Sequence, residues 1–257
     1  MAEIGFIKFL GTAGARFVMI RQLRASAGLW IRCAGTNVLV DPGPGSIVRC
    51  AASRPKLDPG LLDAIILTHR HLDHSSDINV MIEAMTEGGF KKRGTVFCPA
   101  DAIGDDPVIL KYARAFPEKI EVLEEKKEYK VGNFEFQTSL RHIHPVTTYG
   151  LKFRLGSSRI SLLTDTRYFP ELADAYKDTD VLIICVVFAE PRAGIDHLSL
   201  PEAEDLIRQI QPKKAILTHF GMTMLKARPH LQAEELSKRL GLDVQAASDG
   251  MRIEFSS

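Results

Sequence analysis

Three apolar runs far apart in the chain end the same way, on a threonine followed by a side chain able to ligate a metal. They are Ile66-Leu67-Thr68-His69, Leu162-Leu163-Thr164-Asp165 and Ile216-Leu217-Thr218-His219. Runs this short and apolar throughout read as strands covered on both faces rather than as helix faces. Strand ends converge on one edge of α/β sheets, so the three closing residues are expected to meet in space. Further β-rich runs are expected over 4–10, 38–40, 64–67, 95–98, 134–138, 149–155, 160–163, 181–187, 215–217 and 252–255. Helical patterns fall between them over 77–87, 107–116 and 231–240. The clearest starts at Ser199 with Glu202 reaching back to cap it, continues through Ala203, Leu206, Ile207 and Ile210 on one face, and stops at Pro212.

The 257 residues are 45% hydrophobic and 25% charged, which excludes disorder and fibrous structure. With 33 Lys+Arg against 32 Asp+Glu, no global field exists to gather nucleic acid or an anionic membrane, and an anionic ligand must be held locally. A core of this size needs no staples, and neither a repeat nor a Pro/Gly/Ser-rich linker divides the chain, so one domain over 1–257 is expected. The first ten residues read as a strand without a basic head or cleavage site, and no apolar stretch is long enough to span a membrane. Cys33, Cys50, Cys98 and Cys185 form no CxxC pair and are expected to be buried free thiols, which fits a cytoplasmic protein. The charged run 124–130 reads as a solvated turn, Lys91 to Arg93 as a loop, and Gly11 to Gly14 as a turn, because no complete phosphate-loop pattern follows the glycines.

The chemistry concentrates in His69-Arg70-His71-Leu72-Asp73-His74, where three of the eight histidines fall within six residues. Neither propensity nor packing accounts for such a loop. Imidazole and carboxylate suit zinc, manganese or iron, and four donors packed so tightly cannot all face one ion, so two divalent ions are expected, zinc foremost. Asp165 and His219, at the other two strand ends, enlarge the set. Two cations acidify a shared water and clamp an in-line displacement, which makes hydrolysis the natural reaction. No serine sits in a nucleophile-elbow context.

Thr68 to His74 carries the pattern T-H-x-H-x-D-H, in which the chain resembles the metallo-β-lactamase-fold hydrolases over nearly its whole length. The resemblance implies an α/β fold, a four-layer αββα sandwich with a two-metal site at the sheet edge. It implies His69, His71 and His144 as ligands of one metal, Asp73, His74 and His219 as ligands of the other, and Asp165 as the bridging carboxylate. His142 rivals His144, since residues two apart on a strand face the same way, but the spacing to Tyr149-Gly150 favours His144. Asp41, in Leu39-Val40-Asp41-Pro42-Gly43, resembles the family's aspartate that orients a ligating imidazole; a plain turn aspartate is the alternative.

His197-Leu198-Ser199 stands 22 residues before His219 and resembles the histidine motif of the phosphodiesterase branch, which includes transfer-RNA 3′-end endonucleases and phosphonate-pathway cyclic phosphodiesterases. Asp73 and His197 are therefore the residues on which catalysis is expected to depend, His197 as general acid toward the leaving oxygen. The long Gly/Pro-rich arm that grips transfer RNA has no counterpart, and His219 continues as Phe220-Gly221-Met222 rather than in those enzymes' pattern. The expected substrate is a small or short phosphodiester, with no stable nucleic-acid complex, no membrane partner, and a homodimer as the family's analogy. Glu190 and Arg192 are candidates for the substrate mouth. A thioester or other ester hydrolase and a non-catalytic metal-stabilised scaffold are the alternatives.

Overall fold

The computed structural model describes residues 3–26 and 28–256; residues 1 and 2, which the first-strand expectation included, lie outside them. Among the described residues fourteen strands form two seven-stranded sheets. The first holds β1 (Glu3–Phe9), β2 (Leu29–Cys33), β3 (Thr36–Val40), β4 (Ala64–Ile66), β5 (Thr95–Cys98) and β6 (Lys119–Val122), with β14 (Arg252–Ser256) beside β1. The second runs from β7 (Glu128–Val131) through β8 (Phe134–Arg141), β9 (Tyr149–Leu155), β10 (Ser158–Leu163), β11 (Val181–Cys185) and β12 (Lys214–Thr218) to β13 (Asp243–Ala246). In each sheet one half is parallel, β3 to β6 and β10 to β13, and the other antiparallel.

Eight helices occupy the connections: α1 (Ala15–Ile20), α2 (Ser46–Ala52), α3 (Leu72–Ser75), α4 (Ile78–Met85), α5 (Glu171–Ala175), α6 (Leu200–Ile210), α7 (Met222–Lys226) and α8 (Pro229–Leu240), counted among the described residues. Alternation along the strands sorts side chains into three apolar layers. Ile31, Val38 and Ile66 of the first sheet meet Leu151, Phe153 and Ile183 of the second between the sheets. Ile65, Leu67 and Val96 point outward under Met81, Ile82 and Met85 of α4. Leu182 and Ile184 point the other way, under Leu206 and Ile207 of α6 and Leu236 of α8. The result is the expected α/β sandwich of helices, sheet, sheet and helices. Each fully buried leucine or isoleucine in it contributes about 1.5–3 kcal/mol.

Glu202 accepts the Ser199 backbone N–H at 2.8 Å and starts α6 where expected. The helix expected over 107–116 does not form; only one tight turn, Ala113–Ala115, stands there. The Asn79 side chain instead binds the Val108 carbonyl and the Leu110 N–H, both at 2.9 Å, so the backbone is satisfied without helical bonds. The solvated turn expected over 124–130 is also corrected. Its second half begins β7, where Tyr129 is buried and its hydroxyl accepts the Glu124 N–H at 2.7 Å. The four cysteines are free and buried. No helix among the described residues is long and apolar enough to cross a membrane.

Candidate metal centre

The three Thr-closed runs do meet, but from two sheets: β4 belongs to the first, β10 and β12 to the second. Thr68 follows β4 and leads through His69 and His71 into α3, which carries Asp73 and His74. Asp165 follows β10, and His219 follows β12 with φ +62°. His144 lies in the loop between β8 and β9, and His197 just before α6.

The nitrogens of His69, His71 and His144 lie within 4.8 Å of one another, as do the donor atoms of Asp73, His74, Asp165 and His219. One atom joins the two groups. Asp165 Oδ2 stands 3.6 Å from His69 Nε2, 3.4 Å from His74 Nε2, 3.3 Å from His219 Nε2 and 3.6 Å from His197 Nδ1.

Bonds on the far sides of the rings fix which nitrogen faces inward. Asp41 follows β3 with φ +52°, and its carboxylate accepts the Thr68 N–H and Thr68 hydroxyl, both at 2.7 Å. The same carboxylate faces His74 Nδ1 at 3.0 Å and keeps the proton there. Thr68 Oγ1, having donated to Asp41, accepts from His69 Nδ1 at 3.1 Å. His144 Nδ1 donates to the Asp196 carbonyl at 2.9 Å, which leaves its Nε2 bare and 3.0 Å from His71 Nδ1. Each of these imidazoles therefore turns its Nε2 inward, the arrangement a ligating histidine requires.

Burial pushes His69 well below the ordinary imidazole range, lowers His71, and brings His144 down to about 4, so this group is neutral and ready to donate electron pairs. In the second group burial opposes charge as well, but carboxylates outweigh it. Asp73 and Asp41 hold His74 well above its usual range, and Asp165 brings His219 up to about 9. Burial alone would raise Asp73 and Asp165; His74 holds the first down, and His219 and His197 hold the second down. A field that keeps protons on buried imidazoles is one that favours a divalent cation in their place.

The fit to cations rests on orphaned atoms. His69 Nε2, His74 Nε2, His219 Nε2, His197 Nδ1 and both oxygens of Asp165 are buried without any hydrogen-bond partner. Unpaired buried groups of this kind are costly, and six converging on one space fit metal ions and little else.

His142 stays apart from the donor groups. Its Nδ1 reaches the Asp165 carbonyl at 3.1 Å and its Nε2 the Tyr176 hydroxyl at 2.8 Å, so neither nitrogen is free. His197 stacks edge-on against His144 at 5.1 Å between ring centroids. Glu190 is exposed, and the Arg192 guanidinium lies 4.8 Å from the centre of the Phe188 ring, which itself flanks His197. Sequence reasoning missed Gly14, where a Cβ would come within 2.0 Å of the His219 carbonyl oxygen, so the glycine permits the approach that seats His219. It also missed Asp101, whose carboxylate accepts the Thr147 N–H at 2.9 Å and anchors the His144 loop.

Residues 36–220 match the Beta-lactamase superfamily domain, and the chain belongs to that superfamily. It is 30% identical to an uncharacterized protein of Methanocaldococcus jannaschii, over 97% of this chain and 94% of that one. It is 26% identical to YhfI of Bacillus subtilis, described as a "probable metallo-hydrolase", over 76% of this chain and 80% of YhfI. The crystal structure of YhfI superposes with a TM-score of 0.80 at 22% identity, covering 98% of this chain and 99% of YhfI. A ribonuclease Z of Agathobacter rectalis is 21% identical over 86% of this chain and 89% of its own. A diphosphatase of the PhnP family superposes with a TM-score of 0.74 at 20% identity over 98% of both chains.

Proposed function

We propose that this protein is a metal-dependent hydrolase that cleaves phosphodiester bonds in a compact substrate with the help of two divalent cations, zinc foremost. The observation that carries the reading is Asp165 Oδ2, placed within 3.3–3.6 Å of His69, His74, His219 and His197. A cation pair at such a carboxylate supplies a water acidified toward neutrality and a clamp on both oxygens of an in-line displacement. His69, His71 and His144 would hold one ion, and Asp73, His74 and His219 the other, with Asp165 between them. Asp41 and Thr68 fix the imidazoles. His197 stands beside Asp165 with its side chain 17% exposed, open enough to meet substrate, and gives its proton to the leaving oxygen. The names of the ribonuclease Z and diphosphatase relatives support phosphorus chemistry, and the four buried thiols suit a cytoplasmic setting.

The test is hydrolysis of bis-p-nitrophenyl phosphate by zinc- and manganese-loaded protein, with a thioester panel run beside it. Asp73→Ala and His74→Ala are expected to abolish turnover while circular dichroism stays native. Undiminished rates in both would remove the two-metal reading, and thioester turnover without phosphodiester turnover would reassign the bond.

A further inference from the structure

The helix that packs beside α3 carries exposed apolar side chains. α1 starts at Gly14, against the His219 carbonyl, and packs beside α3, the helix that carries Asp73 and His74. From there Phe17 and Ile20 stand 57% and 65% exposed, with Leu23 just beyond at 51% and Leu72 of α3 at 63%. Ile195 is 41% exposed two residues before His197. Val18, fully buried, anchors α1 in the core. Large apolar side chains gathered beside a site mark contact with a ligand or partner.

The charge on this patch narrows the choice. Arg16 and Arg21 are exposed and make no ion pair among the described residues, and Arg24 reaches the Thr12 hydroxyl at 3.0 Å. Residues 15–26 include no carboxylate. A second copy of the chain is the obvious rival occupant. Two-fold pairing would set this patch against itself, bringing Arg16 and Arg21 toward their own images with no acid on α1 to offset them. An anionic amphiphile meets both features at once.

We infer that α1 and Leu72 form a subsite for the hydrocarbon part of an alkyl phosphodiester, an inference that rests on the phosphodiesterase reading above. The phosphate lies at the metal centre, the alkyl chain runs along Phe17, Ile20 and Leu23, and Arg16, two residues from Gly14 at the end of α1 nearest His219, faces the phosphate's negative charge. Water adds to phosphorus, the bond to the leaving alcohol oxygen breaks, and that oxygen takes up a proton.

The experiment uses the metal-loaded protein with alkyl p-nitrophenyl phosphates from methyl to octyl, each below its critical micelle concentration. The slope of log kcat/KM on chain length should be positive, up to roughly fourfold per fully buried methylene. Phe17→Ser/Ile20→Ser, both at exposed positions, should flatten that slope. A flat slope in the wild type, with the methyl ester still cleaved, overturns the subsite and leaves the phosphodiesterase reading standing. Failure to cleave any ester strikes the reading beneath it and takes the subsite with it. A wild-type dimer that the double variant splits into monomers would assign the patch to self-association and overturn the proposal as well.

Discussion

The Asp41→Asn variant tests the centre through a residue that touches no proposed cation. Asp41 is 5% exposed and makes three contacts: the Thr68 N–H at 2.7 Å, the Thr68 hydroxyl at 2.7 Å and His74 Nδ1 at 3.0 Å. Asparagine has nearly the same shape and tolerates the left-handed backbone at φ +52°, so the loop should survive. Its carbonyl can still accept the Thr68 N–H, and the Thr68 hydroxyl can turn to accept from the new amide. His74 has no such remedy. Its Nδ1–H would face an NH₂ group, donor against donor. The imidazole then keeps an unpaired proton in a buried place or moves it to Nε2, the nitrogen meant to hold the ion. The loss is one charge-assisted hydrogen bond, roughly 1.5–3 kcal/mol, and outer partners of this kind typically change metal affinity about 10–100-fold. Competition of metal-free protein with a chromophoric chelator for zinc should show one of two ions weakened by that factor and the other unchanged, with a native circular dichroism spectrum. Two ions bound as tightly as in the wild type would refute the reasoning.

His197→Ala should keep both metals while the rate on a phosphodiester with an alkyl alcohol as leaving group falls by roughly 10²–10⁴, with a much smaller loss on bis-p-nitrophenyl phosphate, whose phenolate leaves without a proton; metal analysis showing a lost ion would recast His197 as a ligand. Gly14→Ala drives a Cβ to 2.0 Å from the His219 carbonyl oxygen and 2.7 Å from its Cδ2, so it should cost about 1–3 kcal/mol and lower zinc occupancy. An unchanged Tm and zinc content would disprove the close approach. The Arg159 guanidinium and backbone N–H hold the Asp180 carboxyl well below the usual carboxylate range, aided by Lys213 at 3.1 Å. Because the folded-state pKa is depressed, this stability is fully present above about 4, the unfolded value, and is lost progressively as pH falls from there through the lower folded value. Asp180→Asn should thus lower the stability read from urea unfolding at pH 7 by about 1 kcal/mol given the solvent-screened arginine, and the gap to the wild type should narrow as pH is taken below about 4; a gap that stays constant down the acid range would contradict it. Leu206→Ala, on the buried face of α6, should cost about 2–5 kcal/mol without altering metal content, read from urea unfolding and metal analysis.

The histidine-rich loop was legible because its candidate donors fall within six residues at the end of an apolar strand, a signal that needs no knowledge of long-range contacts. The helix α6 was legible for a similar reason, since eleven residues give periodicity room to repeat. Helices α1, α3, α5 and α7 have four to six residues and too few turns to show a stripe. The strands β6, β7 and β13 carry charged residues on their open faces, so their apolar runs break up. β2 hid differently, Arg32 interrupting its apolar residues at the exposed position. His142 and His144 could not be separated by strand alternation, because β8 ends at Arg141 and the irregular chain beyond it turns one ring to Tyr176 and the other to His71. Gly14 was invisible for a different reason: what demands glycine is the backbone of His219, some two hundred residues away, and such an approach leaves no local pattern.

The seam on which the donors lie has a consequence for the life of the molecule. His69, His71, Asp73 and His74 come from the first sheet's side, while His144, Asp165 and His219 come from the second's. Ions held there would act as rivets between two half-shells, strengthening the fold by about 2.7 kcal/mol at a hundredfold excess over the dissociation constant. Without metal, that joint would rest on the apolar layer between the sheets.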